Sequence, residues 1–351
     1  MPQFTKPCFI FLLAATTIVA CSSQPKKKSK ARAPVVAPSG WSYPETSAVT
    51  SIGENWMPRI GANKKVFFLS SGRLKHKQPQ IYELNTASLK ERRLTYQDGS
   101  IHDFVLHDKS NLIYFASSTD EDKENPLRVF NTNLDRKAIG YAPPTTIVDE
   151  NYESLQIGYE LYSLKTSPFS IERITNHEGV DFEVATNPTS NQMAFVRFSS
   201  NGYQLMESDR NGSQVRKVTE GPDSRRPSYS RDGQTLYWVT HNQIWKMDLK
   251  RRTPVKVVEG YFNLSSVAET LDKNGLVFSG TPTDYDQHEL FHFSFDSQTV
   301  TRLTYSDFDE IDPQISVDGQ QIIFSSDSSG KYQIQSMKFT QIEDPQQKTN
   351  L

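Results

Sequence analysis

A repeat constrains this chain more than any other feature. A basic residue, an aliphatic residue and a threonine recur as Arg93-Leu94-Thr95, Arg173-Ile174-Thr175, Lys217-Val218-Thr219 and Arg302-Leu303-Thr304. A worn copy is Lys256-Val257-Val258, and Ala48-Val49-Thr50 fits near the start. The six anchors fall at 50, 95, 175, 219, 258 and 304, with spacings of 45, 80, 44, 39 and 46, so one unit is nearly double length. Sixteen to 18 residues past each anchor begins an aliphatic-aromatic run: Val66-Phe67-Phe68, Leu112-Ile113-Tyr114-Phe115, Met193-Ala194-Phe195, Leu236-Tyr237-Trp238, Leu276-Val277-Phe278 and Ile322-Ile323-Phe324. Self-similarity at such a period marks an array of small structural units.

Turn residues stand just before the runs: Asn63, Asn111, Asn191, Asp232-Gly233, Asn274-Gly275 and Asp318-Gly319. Asn and Gly tolerate the positive φ of tight hairpins, so each run reads as the second strand of a β-hairpin. A third strand follows, as in Ile81-Tyr82-Glu83-Leu84, Ile244-Trp245-Lys246-Met247 and Ile334-Gln335-Ser336-Met337, and the anchor forms the fourth. Four strands in about 40–45 residues is the size of a propeller blade. The expected fold is all-β, a six-bladed β-propeller over residues 41–340.

The sixth unit has only three strands before a polar tail at 341–351, expected to be disordered, while the first anchor precedes any complete blade. The N-terminal strand should therefore complete the last blade and remove a free sheet edge. In the long unit the second strand ends near Ala116 and the third resumes at Tyr159-Glu160-Leu161-Tyr162, leaving residues 120–157 as an insertion. Strands alternate direction within a blade, so this insertion should leave on the face that carries the loops after the anchors.

Two segments carry a family likeness. Ser230-Arg231-Asp232-Gly233-Gln234 with Pro227, and Ser316-Val317-Asp318-Gly319-Gln320 with Pro313 and Phe324-Ser325-Ser326-Asp327, resemble TolB-type propeller repeats. The resemblance covers about residues 48–340 and is sharpest in units four and six. It implies a six-bladed propeller that serves as a docking platform in the bacterial envelope. The chain departs from that family in showing no α/β domain ahead of the propeller and in carrying a lipid-anchor motif.

That motif lies in the first 40 residues. Lys6 precedes the eleven-residue apolar stretch Phe9 to Val19, too short for the roughly 20 residues that span a bilayer. Ile18-Val19-Ala20-Cys21 follows, and it resembles the lipobox of bacterial lipoproteins. The resemblance implies a signal peptide over 1–20 and lipid attachment at Cys21. Ser22 stands in the sorting position, which favours the outer membrane. Several acyl chains on one residue give stable anchoring. Residues 21–40 then form a flexible basic linker with Lys26, Lys27, Lys28, Lys30 and Arg32. Without Lys6 and these five, 33 basic residues face 41 acidic ones, a formal charge of −8 on residues 41–351. Such a body is a poor nucleic-acid binder. Cys8, the other cysteine, lies in the signal, so no disulfide is expected.

His288-Glu289-Leu290-Phe291-His292 matches a zinc-protease signature that works only on a helix. Here it falls on a third strand, where i and i+4 stand roughly 13 Å apart, too far for one zinc. Asp120-Glu121-Asp122-Lys123-Glu124 alternates carboxylates, but Asn131 stands where a calcium loop needs a bidentate Glu. No Gly-x-Ser-x-Gly segment occurs. No catalytic residues, cofactor or metal are expected.

The loops after the anchors hold thirteen acidic residues against Arg225 and Arg226. Such a face can steer a basic partner, although acids that cap turns and tie blades would give the same count. The expected function is a non-enzymatic, membrane-tethered monomer that binds another envelope protein or peptide on the periplasmic side. Its expected contact residues are Asp98, Asp181, Asp223, Arg225, Arg226, Asp307, Asp309 and Asp312. The alternative is a glycan- or small-ligand-binding propeller with lyase-like activity in its channel.

Overall fold

The computed structural model describes residues 43–339, apart from 74, 75, 77, 98, 108–110, 120–157, 178, 179, 222 and 283–286. Six four-stranded antiparallel sheets make up the ring. Blade one is β2 (Glu54–Ile60), β3 (Lys65–Ser71), β4 (Gln80–Asn85) and β5 (Lys90–Arg93). Blade two is β6 (Ile101–His107), β7 (Leu112–Ser117), β8 (Glu160–Thr166) and β9 (Phe169–Arg173). Blade three is β10 (Val180–Thr186), β11 (Gln192–Ser199), β12 (Gly202–Asp209) and β13 (Arg216–Lys217). Blade four is β14 (Arg225–Tyr229), β15 (Thr235–Thr240), β16 (Gln243–Asp248) and β17 (Pro254–Glu259). Blade five is β18 (Val267–Glu269), β19 (Gly275–Gly280), β20 (Glu289–Ser294) and β21 (Val300–Arg302). Blade six is β22 (Glu310–Ile315), β23 (Gln321–Ser326) and β24 (Gln333–Lys338), completed by β1 (Thr46–Ala48).

The first strand of every blade packs against the first strand of the next, from β2 through β6, β10, β14, β18 and β22 back to β2. These six strands line the channel. The ring is closed as the sequence predicts: β1 pairs with β24 through Thr46↔Met337, Ser47↔Ser336 and Ala48↔Gln335.

The aliphatic-aromatic runs owe their composition to the second strands, which are buried on both faces. Alternate side chains pack on opposite neighbours. In β7, Ile113 and Phe115 join the cluster with blade one, while Tyr114 and Ala116 join that with blade three. In β15, Leu236 and Trp238 face blade three, and Tyr237 and Val239 face blade five. The hydrophobic core is thus divided into wedges, one at each blade-to-blade interface, including Val66, Phe68, Ile323 and Ile334 at the closing seam.

The repeated basic-aliphatic-threonine motif is a clasp. Each Thr hydroxyl accepts a hydrogen bond from the third strand of its own blade. The donors are Ile81 N to Thr95, Leu161 N to Thr175, Leu205 N to Thr219 and Leu290 N to Thr304. In blade five the Thr304 hydroxyl donates onward to Glu289 Oε2 at 2.6 Å, and Arg302 Nη2 reaches Glu289 Oε1 at 2.8 Å. Glu289 also accepts the Ser306 amide, which turns the chain towards the next blade. Blade two repeats the set with Thr175, Glu160, Arg173 and the His177 amide. A buried carboxyl would be costly alone; here it meets donors on both oxygens.

The Ser-x-Asp-Gly-Gln segments are hairpin turns. Asp318 Oδ1 accepts from Ser316 Oγ and the Gln320 amide, and Asp232 Oδ1 does the same with Ser230 and Gln234. Gly319 and Gly233 take φ of 73° and 69°, which a side chain would resist. A Cβ at Gly233 would also meet the Asn187 side chain of blade three at 2.3 Å. Among the described residues no helix is long and apolar enough to cross a membrane.

Candidate functional site

The inner strands share a local distortion. Register shifts interrupt the pairing of β2, β6, β10, β14 and β22 at 56/59, 101/103, 182/185, 225/228 and 311/314. At four of these bulges a non-glycine residue takes positive φ: Met57 (55°), Glu183 (53°), Arg226 (53°) and Asp312 (55°). Each such residue costs on the order of 1–3 kcal/mol, so something must hold it. The holder comes from the preceding blade. Asp103 accepts the Glu183 and Val184 amides at 2.7 and 2.8 Å. Glu183 accepts the Arg226 amide at 2.7 Å, Ser265 Oγ faces the Asp312 amide at 3.4 Å, and Ser325 Oγ accepts the Met57 amide at 3.0 Å. Pro58, Pro227 and Pro313 follow three of the four, at positions where a missing N–H breaks no ladder bond.

Glu183 is the charged centre of this collar. Arg225 grips it through Nε and Nη2, and Arg226 Nε lies 3.1 Å away. Burial alone would raise its carboxyl, but Arg225 and Arg226 together hold it down at about 2. Arg225 is itself sandwiched over the rings of Phe182 and Tyr203. Glu310, at the head of β22, is the opposite case. It is fully buried, and burial raises its carboxyl to about 8. Tyr43, from the segment ahead of β1, donates its hydroxyl to it.

The sequence-derived contact residues have different fates. Asp98 lies outside the described residues, as do Cys21 and the insertion at 120–157. Asp181 is fully buried and held by Arg197 through two bonds of 2.7 Å. Asp309 accepts from the His288 amide and from Tyr332. Asp312, Arg225 and Arg226 belong to the channel collar, and the backbone of Asp223 forms an isolated bridge with that of Tyr203. Of the seven that the structure describes, Asp307 alone is exposed. Of the acids after the anchors, Asp103, Glu183 and Asp309 tie one blade to the next, while Asp181 is paired within its own blade.

His288-Glu289-Leu290-Phe291-His292 runs into strand β20. His288 Nε2 faces the Asn263 carbonyl, and Glu289 serves the clasp. Among the described residues no group of three or more His, Cys, Asp or Glu could hold a metal ion.

Beside the collar lies a cavity of about 160 Å³. Inner strands run from the post-anchor face to the hairpin face, and the lining residues come at and after the bulges, so the cavity sits at the collar and on its hairpin side. Its polar wall comes chiefly from Arg59, Arg226, Ser228, Ser266 and Gln314, with the carboxylates of Asp103 and Glu183 also lining it. Arg59 was not singled out from the sequence. Aligning Met57-Pro58-Arg59, Arg226-Pro227-Ser228 and Asp312-Pro313-Gln314 would have exposed it as the polar residue after each bulge proline.

The ring of six four-stranded blades with an exchanged terminal strand defines a six-bladed β-propeller. Solved structures share this architecture at low identity. An oligogalacturonate lyase in complex with manganese aligns at a TM-score of 0.57 and 12% identity, covering 84% of this chain and 79% of the lyase. A putative TolB from Agrobacterium tumefaciens aligns at 0.55 and 12%, covering 83% and 93%. TolB from Acinetobacter baumannii aligns at 0.54 and 14%, covering 75% of this chain and 60% of that one. At such identities the likeness is one of fold. No protein-family model matches the sequence, and no curated protein matches it.

Proposed function

We propose that this chain is a lipid-tethered envelope propeller that docks another protein or peptide on the face where the post-anchor loops turn. The observation that carries this reading is that β7 ends and β8 begins, on either side of residues 120–157, at the same end of the ring as those loops. Inserts of this length inside a compact domain are usually either functional elements or linkers. Asp307, exposed beside the channel mouth, adds negative charge to the same face. TolB-like architecture accords with a docking role by analogy only. The anchor is the lipidated Cys21, and the ring faces the periplasm from the outer membrane.

Photo-crosslinking in cells tests the face. A crosslinking residue at position 307 should yield an adduct with the partner, and one at the exposed hairpin residue Val317 should not. Adducts from 317 alone would overturn the assignment. Cys21→Ser should release the protein from the outer-membrane fraction or leave it as precursor; normal fractionation would refute the anchor.

A further inference from the structure

The channel cavity holds more hydrogen-bond donors than its own walls consume. Arg59 lines it from β2, beside the bulge. Its guanidinium donates to two backbone carbonyls, Phe104 O from Nε at 3.2 Å and Pro58 O from Nη1 at 2.9 Å. Asp312 and Asp103 are its nearest influential carboxylates, and neither forms an ion pair with it. Three of its five N–H groups are therefore without an acceptor among the described residues. Arg226 faces the same space, and its Nε lies by Glu183 without making a hydrogen bond. Ser266 Oγ, also in the wall, is buried with no partner among the described residues.

The carboxylates nearby do not answer this surplus. Both oxygens of Asp103 are taken by the Glu183 and Val184 amides, with His102 Nδ1 also on Oδ2. Both oxygens of Glu183 are taken by Arg225 and the Arg226 amide. Arg59 is half-buried at the channel wall, and a guanidinium with open donors facing a narrow cavity is a ready partner for an oxyanion, its planar fork suiting carboxylate and phosphate groups. The cavity is smaller than the roughly 300–1,000 Å³ of drug-sized pockets, so its occupant is a molecule of a few heavy atoms. Ser266 Oγ, unpartnered in the same wall, is placed to accept from a hydroxyl on that molecule.

We propose that the propeller's central cavity binds a small hydroxylated oxyanion, its carboxylate or phosphate group held by Arg59 and Arg226. This site is separate from the docking face, and either can stand without the other.

Titration calorimetry on the full chain at constant ionic strength tests it, with glycerate and inorganic phosphate as probes and acetate as the ligand lacking a hydroxyl. One-site, saturable binding of glycerate or phosphate in the millimolar range or tighter is expected, and whichever of the two binds identifies the preferred group. Acetate should bind more weakly. Arg59→Gln should weaken binding by about tenfold or more, and Ser266→Ala by about two- to fivefold. Lys250→Gln, on an exposed hairpin, should bind as wild type does. Should Arg59→Gln fail to fold, Arg226→Lys takes its place, with the same loss expected. No saturable binding of either probe, or wild-type affinity in the Arg59→Gln protein (or in its Arg226→Lys replacement), would overturn the proposal.

Discussion

Blades five and six use one clasp in two forms. In blade five Glu289, Arg302 and Thr304 come from a single stretch of chain, and a carboxylate meets an arginine and a threonine. In blade six Gln333 stands in the place of Glu289, and Thr50 comes from the other end of the chain. The Thr50 hydroxyl donates to Gln333 Oε1 at 2.9 Å and accepts the Ile334 amide at 2.9 Å. Asn55 also donates to Gln333, whose own Nε2 donates to the Gly53 carbonyl. Ala48 occupies the position of Arg302, so the charge-assisted part of the clasp is missing. The geometry survives a break in the chain, but the strength does not. Joining residues 283 apart also carries a larger loop-closure cost than joining residues 15 apart. The seam between β1 and β24 should be the first part of the ring to open.

The harshest way to break the comparison is to remove residues 43–53. That strips β24 of its partner, leaves the Ile334 amide unmet and takes Thr50 and Gly53 from Gln333, a loss on the order of 5 kcal/mol. Chemical denaturation should show a lower midpoint or a split transition, and an unchanged curve would refute the seam. Next in size is Glu289→Ala, which leaves Arg302 buried without its carboxylate and should cost about 3–5 kcal/mol. Gln333→Ala, the matching change in blade six, should cost about 1–2 kcal/mol. Equal losses for the two would mean that charge adds nothing to the clasp.

A smaller and reversible probe is pH. The Glu310 carboxyl, beside the closing segment through Tyr43, is raised to about 8 by burial. The folded protein therefore holds this proton more tightly than the unfolded chain does. Its contribution is full below the ordinary carboxylate range and is lost as pH rises towards about 8. Glu183, held at about 2 by Arg225 and Arg226, has the reverse sign: its contribution is full above the ordinary range and is lost as pH falls towards 2. Glu310→Gln should flatten the alkaline decline and leave the acid one. Melting curves from pH 2 to pH 9 check both signs.

Six blades, the terminal-strand closure and the hairpin turns were legible because each rests on local chemistry repeated at a fixed period. The two-sided burial of the second strands made their apolar runs conspicuous, and the Thr of the clasp made the anchors recur. The candidate site was less legible. Asp181, Asp309 and Asp312 read as surface acids because a sequence shows charge but not partner. Arg197, His288 and Tyr332, which occupy two of them, are distant in the chain or unremarkable in type. The collar escaped because a bulge arises from strand register, and Met57, Glu183, Arg226 and Asp312 share a backbone conformation without sharing a side-chain class. Arg59 matters through what it lacks, and a missing acceptor has no sequence signal.

Five amides allow a direct comparison of the seam with the other blades: Ile81, Leu161, Leu205, Leu290 and Ile334. Each donates to the threonine of its own clasp. Native-state hydrogen exchange read at these positions tests the central claim about closure. Ile334 should exchange faster than Leu161 and Leu290, whose clasps contain a carboxylate and an arginine. Protection at Ile334 equal to or greater than that at Leu290 would contradict it.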